Sequence, residues 1–182
     1  QQGLIDASEF EIGTRGGVRQ VAFDGDLVHI DMGSPRRDAG DVTVSVGDRR
    51  WPAQAVFMPN PHAVVFVDDL DLNLDVAPQV ASEVFAEGQN VEFVVVASPE
   101  HVQMRVHERG VGETLSCGTG ICAVADQVWA AIEAYRQQIA SSAPDDDAAD
   151  LKAPEWTVFT DPDTAPQGPD FQLTRIPPPH GF

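Results

Sequence analysis

The chain has 182 residues, enough for one domain with a sizeable core plus a tail. Asp and Glu number 29 against 11 Lys and Arg, Lys152 is the single lysine, and the formal charge is −18. Such a surface repels nucleic acid and anionic membrane, which argues against both as partners and makes solubility the simple reading of the charge.

Residues 10–33 read as two strands, "GVRQVAF" and "LVHIDM", joined by a "DGD" hairpin turn. "DVTVSVGDRRWPAQAVFM" repeats the device: an alternating strand, a "GD" turn and a second strand. "HAVVFVDDL" and "NVEFVVVAS" are β-branched apolar runs suited to buried strands. Between them "APQVASEVFAEGQ" predicts a short helix ended by Gly88. "VQMRVHERG" predicts another strand. The run from Gly120 to Ser141 has helical periodicity, with Cys122, Val124, Val128, Trp129, Ile132 and Tyr135 on one broad face. The expected fold class is α+β, a curved and mostly antiparallel sheet around a central helix. Residues 1–140 form the expected domain. Residues 141–182 form an acidic linker and a proline-rich tail, with "EWTVFT" as one strand and little order otherwise.

Cys117 and Cys122 are the only cysteines, so a disulfide scaffold is excluded and a reducing cytoplasm is the default location. No apolar run approaches membrane-spanning length, and the first residues do not open a signal peptide. The sequence begins without Met, which reads as a cut or processed front.

The chemistry concentrates in "HERGVGETLSCGTGICAVA", residues 107–125. Cys117 precedes Gly118-Thr119-Gly120 at the mouth of the predicted helix, where backbone N–H groups lack partners. Those donors and the helix dipole stabilise anions. They can lower the thiol pKa toward neutrality and hold a carboxylate, and glycines allow the close approach. The same four residues also suit a small buried cysteine in a tight turn. Taken singly, the neighbouring candidates have plain readings too. Asn60-Pro61 is a common turn initiator. His62 suits a hydrogen-bonded loop histidine, and Asn90 a strand cap. Glu108 and Arg109 point to opposite faces of a strand, one buried and one exposed. Cys122 reads as core. Cys117, Cys122 and His107 are not a convincing ligand set, so no metal is expected.

Together, "MRVHERGVGETLSCGTG", "MPNPHAVVFVDDL" and "GQNVEFVVV" strongly resemble the C-terminal half of diaminopimelate epimerase. The resemblance runs in order from about residue 3 to about residue 132, and "EIGTRGGVRQV" and "VHIDMG" resemble the entry to that family's second domain. It implies interconversion of LL- and meso-diaminopimelate, in lysine and peptidoglycan biosynthesis, with no cofactor and no metal. Two cysteines act across the α-carbon, one as thiolate base and the other as thiol acid. Cys117 would be one of them. The amides of Gly118 and Thr119 would hold the α-carboxylate, and Glu108 would accept hydrogen bonds from the α-ammonium. Arg109, Asn60 and Asn90 would bind the distal end of the substrate, and His62 would orient Glu108 or the thiol.

In the family the other cysteine lies in an N-terminal domain, within a C-G-N-G turn that this sequence does not contain. The implied partners are therefore a small-molecule substrate and either an N-terminal domain chain or a second copy in a homodimer. Pro59 stands where the family has Gly, and the segment after "WTV" departs from the family's "PGG" strand. The rival readings are an inactive or ligand- or partner-binding fragment, and a sister isomerase of the proline racemase or phenazine-biosynthesis type. "NVEF" and "ERGVGET" argue against the sister isomerases.

Overall fold

The computed structural model describes residues 8–25, 27–98, 101–142, 155–159 and 172–176. The first three strands, β1 (Glu9–Thr14), β2 (Gly17–Asp24) and β3 (Leu27–Ile30), form a small antiparallel sheet. The expected hairpin is β2–β3, with Gly25 at φ 60° in its turn. The additional strand β1 pairs Phe10 with Val21 and Ile12 with Arg19. Its short Phe/Ile alternation, hidden between Glu residues, was the signal for it. Val18, Phe23, Leu27, Val28 and Ile30 of this sheet are exposed.

Seven further strands make the main sheet: β4 (Arg36–Val46), β5 (Arg49–Phe57), β6 (Pro61–Phe66), β7 (Gln79–Ala81), β8 (Asn90–Ser98), β9 (His101–Glu108) and β10 (Gly112–Thr114). Their order is β10-β9-β8-β6-β5-β4-β7, and every neighbouring pair is antiparallel except β6 with β8. A parallel pair needs a crossover connection. Residues 67–89 supply it, and they are not the predicted helix. Gln79–Ala81 forms β7 on the sheet edge, with Val80 opposite Val44, and Ser82 Oγ then accepts the N–H of Val84 at 3.0 Å. Pro78, Val80, Ser82 and Val84 are half-buried while residues 79, 81 and 83 are exposed, a period of two. The apolar spacing Val80, Val84, Phe85 also fits a helical turn, and so short a run does not separate the two periods.

Helix α1 (Gly118–Ser142) packs on one face of the main sheet. Ile121, Ala123, Val124 and Val128 meet Val56, Met58, Val64, Val94, Val102, Met104 and Val106 there. Cys122 and Ile132 are partly buried against this cluster, and Trp129 is half-buried. The side chain of Tyr135 lies outside the described residues. The opposite face buries Val44, Ala55, Ala63, Val65, Val91 and Phe93 beneath Leu72 and Leu74 of the crossover. Both faces of β6 and β8 are thus covered, which explains their near-continuous apolar runs. The architecture is the expected α+β curled sheet around one helix. No helix among the described residues is long and apolar enough to cross a membrane.

In the tail, β11 (Glu155–Phe159) is the expected strand, and it pairs antiparallel with β12 (Gln172–Ile176), which the sequence did not signal. The remainder of the expected linker and proline-rich tail lies outside the described residues.

Candidate active site

Strands β6 and β8 run in the same direction, so both begin at one end of the sheet, His62 opposite Asn90 and Val64 opposite Glu92. Antiparallel β9 ends there at Glu108. Alternation along a strand sends every second side chain to the same face. Asn90 and Glu92 therefore share the helix side with Val94, and Glu108 shares it with Val106 and Met104. The N-terminus of α1 arrives at the same place and brings Cys117.

Cys117 is the N-cap of the helix. Its carbonyl accepts the N–H of Ile121 at 2.9 Å, and its sulfur accepts the N–H of Gly120 while meeting Thr119 Oγ1 at 3.5 Å. A side-chain acceptor at this position takes up an N–H that the first turn leaves unpaired. The thiol is buried, at 7% exposure. Its pKa is raised, contrary to the lowering that the helix N-terminus alone predicts. Burial is the largest cause, Glu92 and Glu108 add to it, and the Thr119 hydroxyl and Gly120 N–H only partly oppose it. Cys122, one turn on and half-buried, is also pushed up by burial. Gly118 faces the side chain of Met32, which follows β3; a Cβ on Gly118 would lie 3.9 Å from Met32 Cε.

His62 is completely buried. It was expected to orient Glu108 or the thiol, but its ring nitrogens meet Glu92 and Asn60 instead. Its Nδ1 lies 2.6 Å from Glu92 Oε1 and its Nε2 lies 3.1 Å from Asn60 Oδ1. Glu92 is completely buried too, and burial raises its pKa while His62 opposes the rise. Sequence reasoning missed Glu92, although a lone acid inside "NVEFVVV" was a visible signal. His62, Glu92 and Cys117 offer ligand atoms within 4.8 Å of one another. These are donor types that zinc accepts, but both ring nitrogens of His62 are already engaged by Glu92 and Asn60.

Glu108 accepts a 2.6 Å hydrogen bond from Thr114 Oγ1 across the β9–β10 pair. Thr114 is another residue the sequence reading passed over. Asn90 Oδ1 accepts the backbone N–H of Arg109 at 2.9 Å. The exposed Arg109 guanidinium donates to the carbonyls of Glu87 at 2.9 Å and Gly88 at 3.3 Å. Gly88 has φ 81°, and a Cβ there would come within 3.2 Å of Arg109 Cδ. Asn60 sits in a tight turn closed by the Met58 N–H to Asn60 carbonyl bond at 2.9 Å. Pro59 is exposed in that turn and packs on Gly16, where a Cβ would clash with the proline ring. The structure thus groups His62, Cys117 and Gly120 around Glu92, with Asn60 behind His62 and Thr119 on the thiol, turns Gly118 toward Met32, and sets Asn90 with Arg109 beside Glu108.

Comparison with known proteins gives a consistent result. Residues 54–141 match the family model described as diaminopimelate epimerase. The diaminopimelate epimerase of Streptomyces coelicolor is 54% identical over 128 residues, 68% of this chain and 44% of that protein. Those of Desulforudis audaxviator and Corynebacterium glutamicum are 38% identical over 149 residues and 41% identical over 135 residues, covering 69% and 68% of this chain and 52% and 48% of those proteins. The chain spans about half the length of the curated relatives it matches. The strands and helix that assemble the site fall within the matched segments, and this chain carries a diaminopimelate epimerase family domain.

Proposed function

We propose that this domain supplies one half of an epimerase active site that inverts the α-carbon of diaminopimelate, with Cys117 as one of two proton-transferring cysteines. The observation that carries the reading is the thiol itself, buried as the cap of the only long described helix and ringed by polar groups from three strands. A thiol held protonated by burial is suited to deliver its proton to the carbanion carbon, and the thiolate this leaves is the base that takes the α-proton in the reverse direction. Gly120 and Ile121 spend their N–H groups on Cys117, leaving those of Gly118 and Thr119 for the α-carboxylate. Negative charge grows on that carboxylate as the proton leaves, and preorganised donors stabilise it most at that moment. Glu108, held by Thr114, accepts from the α-ammonium. Asn60, Asn90 and Arg109 recognise the distal end. No step in this scheme calls on a cofactor or a metal.

Inversion needs an acid and a base on opposite faces of one carbon, and this chain presents one such cysteine. The other comes from an N-terminal domain, either on a longer chain or on a partner, and a homodimer of this domain is the second arrangement. The exposed apolar residues of β2 and β3, next to Met32 and Gly118, give such a domain a surface to close on. A biosynthetic role of this kind belongs in the cytoplasm.

The test is solvent-deuterium incorporation. The 182-residue chain is mixed with an N-terminal domain of the family in D2O and given LL-diaminopimelate. Deuterium should enter at the α-carbon only with both components present, and Cys117→Ser should slow it by about 10²- to 10⁴-fold. Association of the domains without deuterium incorporation would exclude the catalytic reading and leave a binding domain.

A further inference from the structure

The proposed reaction gives Glu92 no task, yet it lies buried against His62 and the cysteine turn. It is fully buried in an apolar strand, and its Oε2 has no hydrogen-bond partner among the described residues. Its other oxygen is 2.6 Å from His62 Nδ1. It also fills the space under the cysteine turn: a Cβ on Gly120 would lie 2.6 Å from Glu92 Oε1 and 3.3 Å from Cys117 Cβ. The second glycine of "CGTG" therefore leaves open the space this carboxyl occupies. The titratable groups that face it are His62, Cys117 and Glu108.

The hydrogen-bond directions follow from donor chemistry. Asn60 Oδ1 can only accept, so at 3.1 Å the His62 Nε2 must carry a hydrogen. One further hydrogen lies between Nδ1 and Oε1. Whether it rests on nitrogen or on oxygen, the pair holds the same number of protons and no net charge, as a buried pair requires. With Oδ1 engaged, the Asn60 amide presents its N–H donors elsewhere.

We propose that Glu92 is a positioning residue: wedged between the His62 ring and the Gly120 backbone, it locks the His62–Asn60 pair in one hydrogen-bonding direction and so aims the Asn60 amide. Its bearing on turnover rests on the epimerase reading above. The lock itself does not, because it exists without substrate.

The ring nitrogens of His62 report it directly, in the 182-residue chain labelled with ¹⁵N-histidine and assigned by loss of signals in His62→Gln. Nε2 should carry the proton and exchange it slowly, with Nδ1 hydrogen-bonded. Glu92→Gln should preserve this pattern, since its amide can donate into Nδ1. Glu92→Met should move Nδ1 to the position of a free imine nitrogen and speed Nε2–H exchange by about tenfold or more. Gly120→Ala, whose methyl must displace the carboxyl, should shift Nδ1 as well and serves if Glu92→Met does not fold. An unprotonated Nε2 in the parent chain overturns the proposal. So do unchanged ring signals in Glu92→Met, or in Gly120→Ala, with a native amide spectrum. None of these outcomes depends on epimerase activity.

Discussion

The two faces of the main sheet are built by the same alternation and differ at one end. The crossover face is apolar throughout its core, with Phe93, Val91, Ala63 and Val65 under Leu72 and Leu74. The helix face is equally apolar from Val64 to Val128, then gives way at its end to His62, Glu92, Asn90 and the Cys117 thiol. Burial of polar groups is costly unless they satisfy one another. The difference shows where the fold accepts that cost: at the strand starts, where a helix N-terminus can be brought against them. One face specifies stability, and the other carries a site on the same strands.

Four measurements break or sharpen this contrast. The largest effect is expected on the apolar face. Phe93→Ala removes a fully buried ring packed edge-on to Trp51 and should cost about 3–5 kcal/mol in urea unfolding, while the Cys117 alkylation rate of the folded fraction stays unchanged. A slowed or accelerated alkylation would show that the two faces are coupled.

On the polar side, Glu92→Met or His62→Leu alone strands a buried partner and should cost about 1–3 kcal/mol. The double variant should cost less than the sum of the two, because no polar group is left unpaired. A strictly additive double-mutant cycle would deny the pair any mutual satisfaction.

A smaller effect should appear with pH. Both thiols are raised above the ordinary value by burial, so above the ordinary thiol range the folded chain keeps protons that the unfolded chain has released. Stability then falls as pH rises through that range, until the folded thiols ionise as well. Thermal melts should follow this slope in the parent chain and show a shallower one in Cys117→Ala. The same protonation predicts that iodoacetamide labels Cys117 slowly at neutral pH, its rate still climbing through the ordinary thiol range.

The smallest effect is at the rim. Arg37 forms a two-pronged pair with Asp126 at 2.7 Å, tying β4 to α1, but its side chain is 50% exposed. Arg37→Ala should cost about 1 kcal/mol or less, and the loss should shrink further in high salt.

Much of this was legible in the sequence for physical reasons. The strands carried period-two or continuous apolar patterns, and the helix carried a wide apolar face behind a glycine-flanked cap. What was missed has equally physical causes. The 77–89 segment is too short for its period to be read, and its sheet edge is supplied by β4, far away in sequence. The site was legible as residue types, and the resemblance put roles on them. Their pairings were not legible, because His62 meets Glu92 through strand register and not through spacing. The raised Cys117 pKa was not legible because the helix end was weighed while its largest cause, burial of the thiol, and the smaller push from Glu92 and Glu108 arise from tertiary packing.

The parallel pairing of β6 and β8 has one more consequence. It forces the connecting segment over the far side of the sheet, where Arg105 fastens it by donating to the Leu70 and Leu72 carbonyls at 2.8 and 2.7 Å. The connecting segment is exposed at Asp75 and Val76, with the sheet between that point and the thiol. A reporter domain or affinity tag spliced there would ride on the outside of the molecule, on the opposite side from the chemistry, and loop insertions of this kind are entropically cheap. The topology that gathers the reactive groups also provides a handle remote from them.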